Sequence, residues 1–426
     1  MIELGLGRIS RLLQLAPPPT WRAIHVAGTN GKGSVCAYLS ALLHARGVSC
    51  GRFTSPHMVD RWDCVVVDER AVDKAAFLDA EQAVRRRDRD AAIGATEFEL
   101  LAATAFELFQ RSRVAVAVIE AGLGGALDAT TAMTADRVAT VIARIGLDHQ
   151  TMLGTTTAAI AAHKAGIMRP GVPCVVNIAN RDGDSSGTSD SVRPVLEAHA
   201  RTTTASLLWA DPLSVLPPGV TDALALEPHQ LSNLACAYAA FRIAIQADHD
   251  ADFLTSVVRQ VSWPGRLQRL DIAPLLSTGL SAPPALLDGA HNAQSAEVLA
   301  AYVDRHLRPG HRVTWLIAAS RGKDLDSMLR LLLRPGDRVA ALVFGPVDGM
   351  PWVRPADPQS ILNCAASLGV APEDRFLSGS SGLTASLQWA VSGNRDSTDP
   401  VVIAGSLYLV SDTLRLLRQA SGKTGL

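Results

Sequence analysis

Ten residues restrict the fold of this chain more than any others: His25-Val26-Ala27-Gly28-Thr29-Asn30-Gly31-Lys32-Gly33-Ser34, between an extended apolar run, Arg22 to Ala27, and an apolar helical pattern from Lys32 to about Arg46. A strand that passes through glycines into a helix presents successive backbone N–H groups at the positive end of the helix, an arrangement that cradles phosphate oxygens. Lys32 is placed to neutralise terminal phosphates, and the Ser34 hydroxyl to hold Mg²⁺. The segment departs from the GxxxxGK[ST] pattern, because Val26 occupies the first glycine position and Gly33 separates Lys32 from Ser34. An ordinary glycine-rich turn is the alternative, and nucleotide binding is the stronger reading.

The surrounding pattern is that of a parallel α/β sheet. A second strand is expected over Val48 to Thr54 and a helix over Glu97 to Arg111. Further strands are expected over Val114 to Ile119, ending at Glu120, and over Val138 to Ala143, ending near Asp148-His149. Polar or glycine-containing motifs therefore follow three strand ends, the edge where ligands bind in open α/β sheets. Long helices over Gln230 to Gln246 and Ala251 to Gln260 lead to Trp263-Pro264-Gly265-Arg266, a stretch suited to a hinge. The alternation then restarts: strands Ala285–Leu287, Val313–Ala318, Val339–Phe344 and Val401–Ala404, with helices Ser295–His306, Leu325–Leu333 and a final one. The fold class is α/β throughout, with a nucleotide-binding domain over 1–267 and a second, smaller α/β domain over 268–426. The opening MIELGLGRISRLLQL reads as an amphipathic helix with Ile2, Leu6, Ile9 and Leu13 on one face, and Arg181 to Ser191 as a polar surface loop.

Length and charge narrow the function. At roughly 100–200 residues per domain, 426 residues make two or three domains. With 40 Lys+Arg against 41 Asp+Glu there is no polybasic footprint for nucleic acid or an anionic membrane, so the expected partners are small molecules. Six cysteines without a CxxC pair read as reduced core residues of a cytoplasmic protein. Arg8 and Arg11 leave mitochondrial targeting open, with Glu3 counting against it. A monomer is expected.

Other residues carry chemistry only in company. Glu120, at a strand's C-terminal end before Ala-Gly-Leu-Gly-Gly, is placed like a Walker-B acid, though a strand-end carboxylate also caps helices or meets arginines. Taken singly, His149 and Lys164 read as structural or solvated side chains. Asp288-Gly289-Ala290-His291-Asn292 puts three polar side chains at one strand-to-helix turn, where Asp and Asn also serve as turn and cap residues. Arg266 could reach a phosphate and Asn233 an adenine edge, each weakly supported alone.

In order along the chain, HVAGTNGKGS (25–34), TSPH (54–57), EAGLGGALDAT (120–130), GLDH (146–149), KAGI (164–167), HQLSN (229–233), WPGR (263–266), LLDGAHN (286–292) and GSLYLVSD (405–412) resemble the folate branch of the Mur ligase superfamily, the folylpolyglutamate synthase family. The resemblance covers nearly the whole chain. It implies a phosphate-binding-loop ATPase domain, a C-terminal Rossmann-like domain that binds glutamate, and ATP-dependent amide ligation through an acyl phosphate.

Block by block, the resemblance implies that Gly28, Thr29, Asn30, Gly31, Lys32, Gly33 and Ser34 bind ATP, with Asn233 reading adenine and Arg266 touching phosphate. Ser34, Ser55 and Glu120 would form a first Mg²⁺ site. His149 would ligate a second metal, together with Lys164, the lysine that this superfamily carbamylates. Ser55, His57, Asp288, His291 and Ser406 would face substrate, with Lys32, Lys164, Asp288 and His291 in catalytic roles. The opening MIELGLGRI and Asp60-Arg61-Trp62-Asp63-Cys64 are similar to fungal members that join the first L-glutamate to 7,8-dihydropteroate. Members that lengthen the glutamate chain of reduced folates typically carry an Arg-Glu-Arg-Ile-like sequence after SPH, from which this chain departs. First-glutamate ligation is therefore the expectation. The alternatives are chain extension or both activities, a cell-wall Mur ligase, and a nucleotide-binding switch with no ligase step.

Overall fold

The computed structural model describes residues 4–181, 191–276, 283–379, 382–392 and 399–421. Two compact units divide between Ser262 and Trp263, against the 267 of the sequence reading. Residues 182–190, the body of the expected polar loop, lie outside the described residues, as does Ile2.

The first unit is built on an eight-stranded sheet. Its strands are β1 (Arg22–Ala27), β2 (Cys50–Phe53), β3 (Val65–Val67), β4 (Arg70–Ala71), β5 (Val116–Glu120), β6 (Arg137–Ile142), β7 (Cys174–Asn177) and β8 (Leu207–Ala210). The order across the sheet is β4-β3-β2-β5-β1-β6-β7-β8. Only β3 and β4 run antiparallel to their neighbours. Side chains alternate across β1. Ile24 and Val26 join Leu39 and Leu42 of the helix Lys32–Ala45 and Phe241 of the helix Pro228–Ile245 on one face. Ala23 joins Phe77, Leu101 and Phe109 on the other. With both faces covered, the strands read as continuous apolar runs, which is why β1 and the helix Glu97–Arg111 have the bounds that the sequence suggests. That helix begins where Thr96 and Glu99 close a reciprocal capping box.

The second unit has strands β9 (Gln268–Leu270), β10 (Ala285–Leu287), β11 (Thr314–Ile317), β12 (Arg338–Ala341), β13 (Arg375–Leu377) and β14 (Val401–Ala404), in the order β13-β12-β11-β14-β10-β9. Only β9 is antiparallel to its neighbour. Buried Leu286, Trp315, Ile317 and Val402 pack against Leu299 and Val303 of the helix Ala293–His306. Among the described residues no helix is long and apolar enough to cross a membrane.

Candidate functional site

In the first unit, β1 lies between β5 and β6, parallel to both, so the glycine-rich loop, the EAGLGG turn and the GLDH turn leave the sheet side by side. The loop is tied to the GLDH side. The N–H groups of Thr29 and Asn30 donate to Arg144 O at 2.8 and 3.1 Å, and Thr29 Oγ1 donates to Gly146 O at 3.0 Å. Gly31 precedes the helix Lys32–Ala45 with φ at 89° and no side chain capping the helix, so the first-turn N–H groups face outward. A Cβ on Gly31 would collide with Asn233 Oδ1. Asn233 is therefore held against the loop from the helix Pro228–Ile245.

Lys32 Nζ donates to Thr29 O at 3.2 Å and lies 3.6 Å from Glu120 Oε1. Glu120 is buried, and its Oε2 accepts the Ser55 N–H at 3.4 Å. Lys164 Nζ reaches across to donate to Gly28 O at 2.6 Å. Only 4% exposed, Lys164 is pushed down to about 7 by burial and then by the Lys32 charge, against the opposing pull of Asp148 and Asp128. Its backbone is seated by glycines. A Cβ on Gly125 would stand 2.6 Å from His163 O and 2.9 Å from Lys164 O, and one on Gly166 would collide with Ala126. Ala126 N–H donates to His163 O at 2.8 Å across the same contact.

Direct contacts thus gather Gly28, Lys32, Ser55, Glu120 and Lys164, with Asn233 against Gly31. Gly33 and Ser34 open the helix beside them. His149 begins the short helix Gln150–Leu153 with φ at 51°, its N–H donating to Asp148 Oδ1 at 2.8 Å. His57 is buried in the TSPH turn. The following segment winds around Asp63, whose carboxylate accepts the N–H groups of Met58, Val59 and Asp60 at 2.8, 2.6 and 2.9 Å. Among the described residues no three His, Cys, Asp or Glu side chains stand together as a metal cluster.

One group has no assigned role in the sequence reading. His25 Nε2 lies 2.8 Å from Thr130 Oγ1, which donates to Asp128 Oδ1 at 2.5 Å, and Asp128 Oδ2 accepts the Leu123 N–H at 2.7 Å. Burial pushes the Asp128 carboxyl up and the His25 imidazole down. This chain closes the loop that starts at Glu120 and anchors it to β1. Both residues lie inside quoted motifs, yet no spacing announces that they meet.

In the second unit, Asp288 follows β10 and both of its oxygens are engaged: Oδ2 accepts the Leu267 N–H and Oδ1 the Ala290 N–H, each at 2.8 Å. Gly289 N–H donates to Gly265 O at 2.9 Å. These bonds fasten WPGR to the DGAHN turn and explain why the stretch belongs with this unit. Burial pushes the Asp288 carboxyl up, against Arg266 and its N–H donors. His291 Nδ1 lies 2.8 Å from Gly289 O; a carbonyl only accepts, so Nδ1 carries the proton. Ser406, buried beyond the end of β14, accepts the Tyr408 N–H at 3.1 Å.

A phosphate-type loop beside a carboxylate and a buried lysine, on a sheet covered on both faces and followed by a second α/β unit, defines a nucleotide-using enzyme. Residues 268–416 match the family model "Dihydrofolate synthetase, C-terminal domain". A probable dihydrofolate synthetase from Schizosaccharomyces pombe is 35% identical over 98% of this chain and 99% of its own length. Among solved structures, a Mycobacterium tuberculosis folylpolyglutamate synthase complexed with ADP and AMPPCP superposes with a TM-score of 0.81 at 27% identity, covering 99% of this chain and 96% of that one. A bifunctional folylpolyglutamate synthase/dihydrofolate synthase with Mn, AMPPNP and L-glutamate bound gives 0.76 at 25%, over 98% and 95%. The chain belongs to the dihydrofolate synthetase/folylpolyglutamate synthase family.

Proposed function

We propose that this protein joins L-glutamate to 7,8-dihydropteroate with ATP, giving 7,8-dihydrofolate, ADP and phosphate. The observation that carries this reading is the likeness to a dihydrofolate synthetase over the full length of both chains, with Lys32, Glu120 and Lys164 gathered at the strand ends.

The chemistry assigns each part a task. A carboxylate is a poor electrophile, so the pteroate carboxylate first attacks the γ-phosphorus of ATP, ADP leaves, and an acyl phosphate forms. The loop N–H groups of residues 28–34 hold the phosphates, Lys32 offsets charge on the transferring group, and Asn233 reads the adenine edge. Glutamate's neutral α-amine then attacks the acyl carbon, and phosphate leaves with the C–O bond electrons. Asp288, His291 and Ser406 are assigned to glutamate and Arg266 to phosphate. Asp288 positions through the WPGR turn, while His291 faces the amine.

Ser34, Ser55 and Glu120 offer the hard oxygen donors that suit Mg²⁺, and a buried carboxylate at a strand end fits a divalent ion. Mg²⁺ supplies charge neutralisation at the phosphates when bound. A second ion would sit with His149 and a carbamylated Lys164. The depressed basicity of Lys164 supports this, since the neutral amine is the form that captures CO₂. The protein is assigned as a monomer.

The test is ADP release with Mg²⁺-ATP and L-glutamate, comparing 7,8-dihydropteroate with tetrahydrofolate monoglutamate and weighing the products. Turnover with dihydropteroate alone and one added glutamate is expected. Turnover with the reduced folate moves the reading to chain extension, and silence with both removes it.

A further inference from the structure

Two arginines of the first unit face each other without an acid between them. Arg137 opens β6, at the end of the strand opposite the GLDH turn, and Arg169 lies just beyond the helix Thr157–Ala165. Both guanidinium groups converge on one carbonyl: Thr131 O accepts from Arg137 Nη2 at 2.9 Å and from Arg169 Nη2 at 3.3 Å. Arg137 Nη2 also reaches Met133 O at 3.3 Å, and Arg169 Nη1 reaches Gly166 O and Met168 O at 2.9 and 2.8 Å.

What is missing around them is charge of the opposite sign. Several other arginines of the unit meet carboxylates: Arg52 meets Glu69, Arg61 meets Glu81 and Arg87 meets Glu107. Among the described residues, Arg137 and Arg169 make no ion pair within 4.0 Å. Arg137 Nε is buried with no hydrogen-bond partner, while Arg137 Nη1 and Arg169 Nε have no protein partner among the described residues and remain open to solvent, where an anion can reach them. Burial and the neighbouring Arg169 push Arg137 down to about 10, and both arginines help to hold buried His25 neutral. Two cations a few ångströms apart in a half-buried place, with N–H groups unspent, are stabilised by a bound anion whose oxygens take those groups.

We propose that Arg137 and Arg169 form a binding site for a phosphate-class oxyanion, separate from the nucleotide loop. The unspent donors on two planar guanidinium groups suit the several oxygens of a phosphate better than the single plane of a carboxylate. The site shares a residue with the lysine side of the nucleotide loop. Thr131 Oγ1 donates to Gly125 O at 2.7 Å, and Gly125 is the residue packed on the backbone of Lys164.

Because the nucleotide loop also takes phosphate, the test is made on the full chain with saturating ADP present. Thermal unfolding is followed with inorganic phosphate against chloride at equal ionic strength, on the wild type, Arg137→Gln and Arg169→Gln. Phosphate is expected to raise the wild-type midpoint, with apparent affinity falling about tenfold or more in each variant, a loss typical of one charge-assisted pair. Without phosphate, Arg137→Gln is expected to be at least as stable as the wild type, because it removes one of two repelling charges. A phosphate monoester, glycerol 3-phosphate, serves as the second probe: response to it assigns the site to esters, and response to inorganic phosphate alone assigns it to the free ion. An equal response in wild type and variants, or no response in the wild type, overturns the proposal. So does Arg137→Gln being less stable in chloride, which would mean that the arginine only caps carbonyls.

Discussion

The two units use the same grammar, strand then turn then helix, but the glycine-rich loop of the first and the DGAHN turn of the second are held by different means. In the first unit the glycine-rich loop and the seat of Lys164 are fixed by backbone, while Asp128 and Asp63 fasten the neighbouring turns: loop N–H groups bond to Arg144 O, and Gly31, Gly125 and Gly166 allow approaches that a methyl group would block. There Lys32 and Lys164 donate to loop carbonyls of Thr29 and Gly28, and Lys32 stands 3.6 Å from Glu120. In the second unit a charged side chain does the fastening, since Asp288 spends both oxygens on N–H groups of two different turns. Carboxylates at similar strand ends thus serve unlike purposes, and burial alone does not distinguish them.

The sharpest way to break this contrast is Lys32→Met. With the loop held by its backbone, the substitution is expected to lower turnover roughly 10²–10³-fold, the scale of one lost transition-state donor. The same variant is expected to change stability by less than about 1 kcal/mol, read from urea unfolding beside ADP release. Large unfolding of Lys32→Met would place the lysine in the structural class with Asp288. Conversely, Asp288→Asn replaces one acceptor oxygen with an amide donor facing a buried N–H, and is expected to destabilise the protein by about 1–3 kcal/mol. An Asp288→Asn protein of unchanged stability but lost turnover would make the carboxylate catalytic first and structural second.

Gly125→Ala tests the backbone side of the comparison. The added methyl meets carbonyl oxygens, which cannot swing away as a side chain does, so a cost of about 1–3 kcal/mol is expected from overpacking. Nucleotide affinity, measured by calorimetry with ADP, should fall with it as Lys164 and Gly28 O are displaced. Unaltered stability would show that the turn yields easily and that the glycine is not what seats the lysine.

How much of this was legible beforehand follows from the same physics. β1, β10, β14 and the helix Glu97–Arg111 have the bounds read from sequence, because each is a buried apolar run or periodic stretch ended by a cap or turn residue. The hairpin of β3 and β4 and the helix Lys74–Asp90 fall where no element is read. The hairpin turns at Asp68-Glu69, both at positive φ, where glycine or asparagine would have signalled it. The helix carries a long charged run around few apolar anchors, among them Phe77, Ala80 and Val84. In the site, each motif was visible but its partners were not. Nothing in the spacing says that Asn233 meets Gly31, that Thr130 bridges His25 to Asp128, or that two arginines share Thr131 O, because such contacts are set by how distant segments pack.

A further expected effect concerns the proton on Lys164. In the unfolded chain a lysine titrates near its ordinary value of about 10.4, whereas burial and Lys32 hold Lys164 at about 7 in the fold. Between these values the unfolded chain binds more protons than the folded one, so stability rises with pH across that window. Below about pH 7 both states are protonated and the penalty of the buried charge is fully present. Lys164→Met is therefore expected to be more stable than the wild type at neutral pH and to narrow the difference as pH rises to 9, measured by urea unfolding without metal or bicarbonate. The buried cysteines titrate with the opposite sign, since burial raises Cys36, Cys50 and Cys236 in the fold. They are common to both proteins, so only the difference between the two curves reports on Lys164. A constant difference from pH 7 to 9 would show that Lys164 keeps its proton in the fold. Its hydrogen bond to Gly28 O would then be a charged strut of the loop, close in kind to the Asp288 fastening.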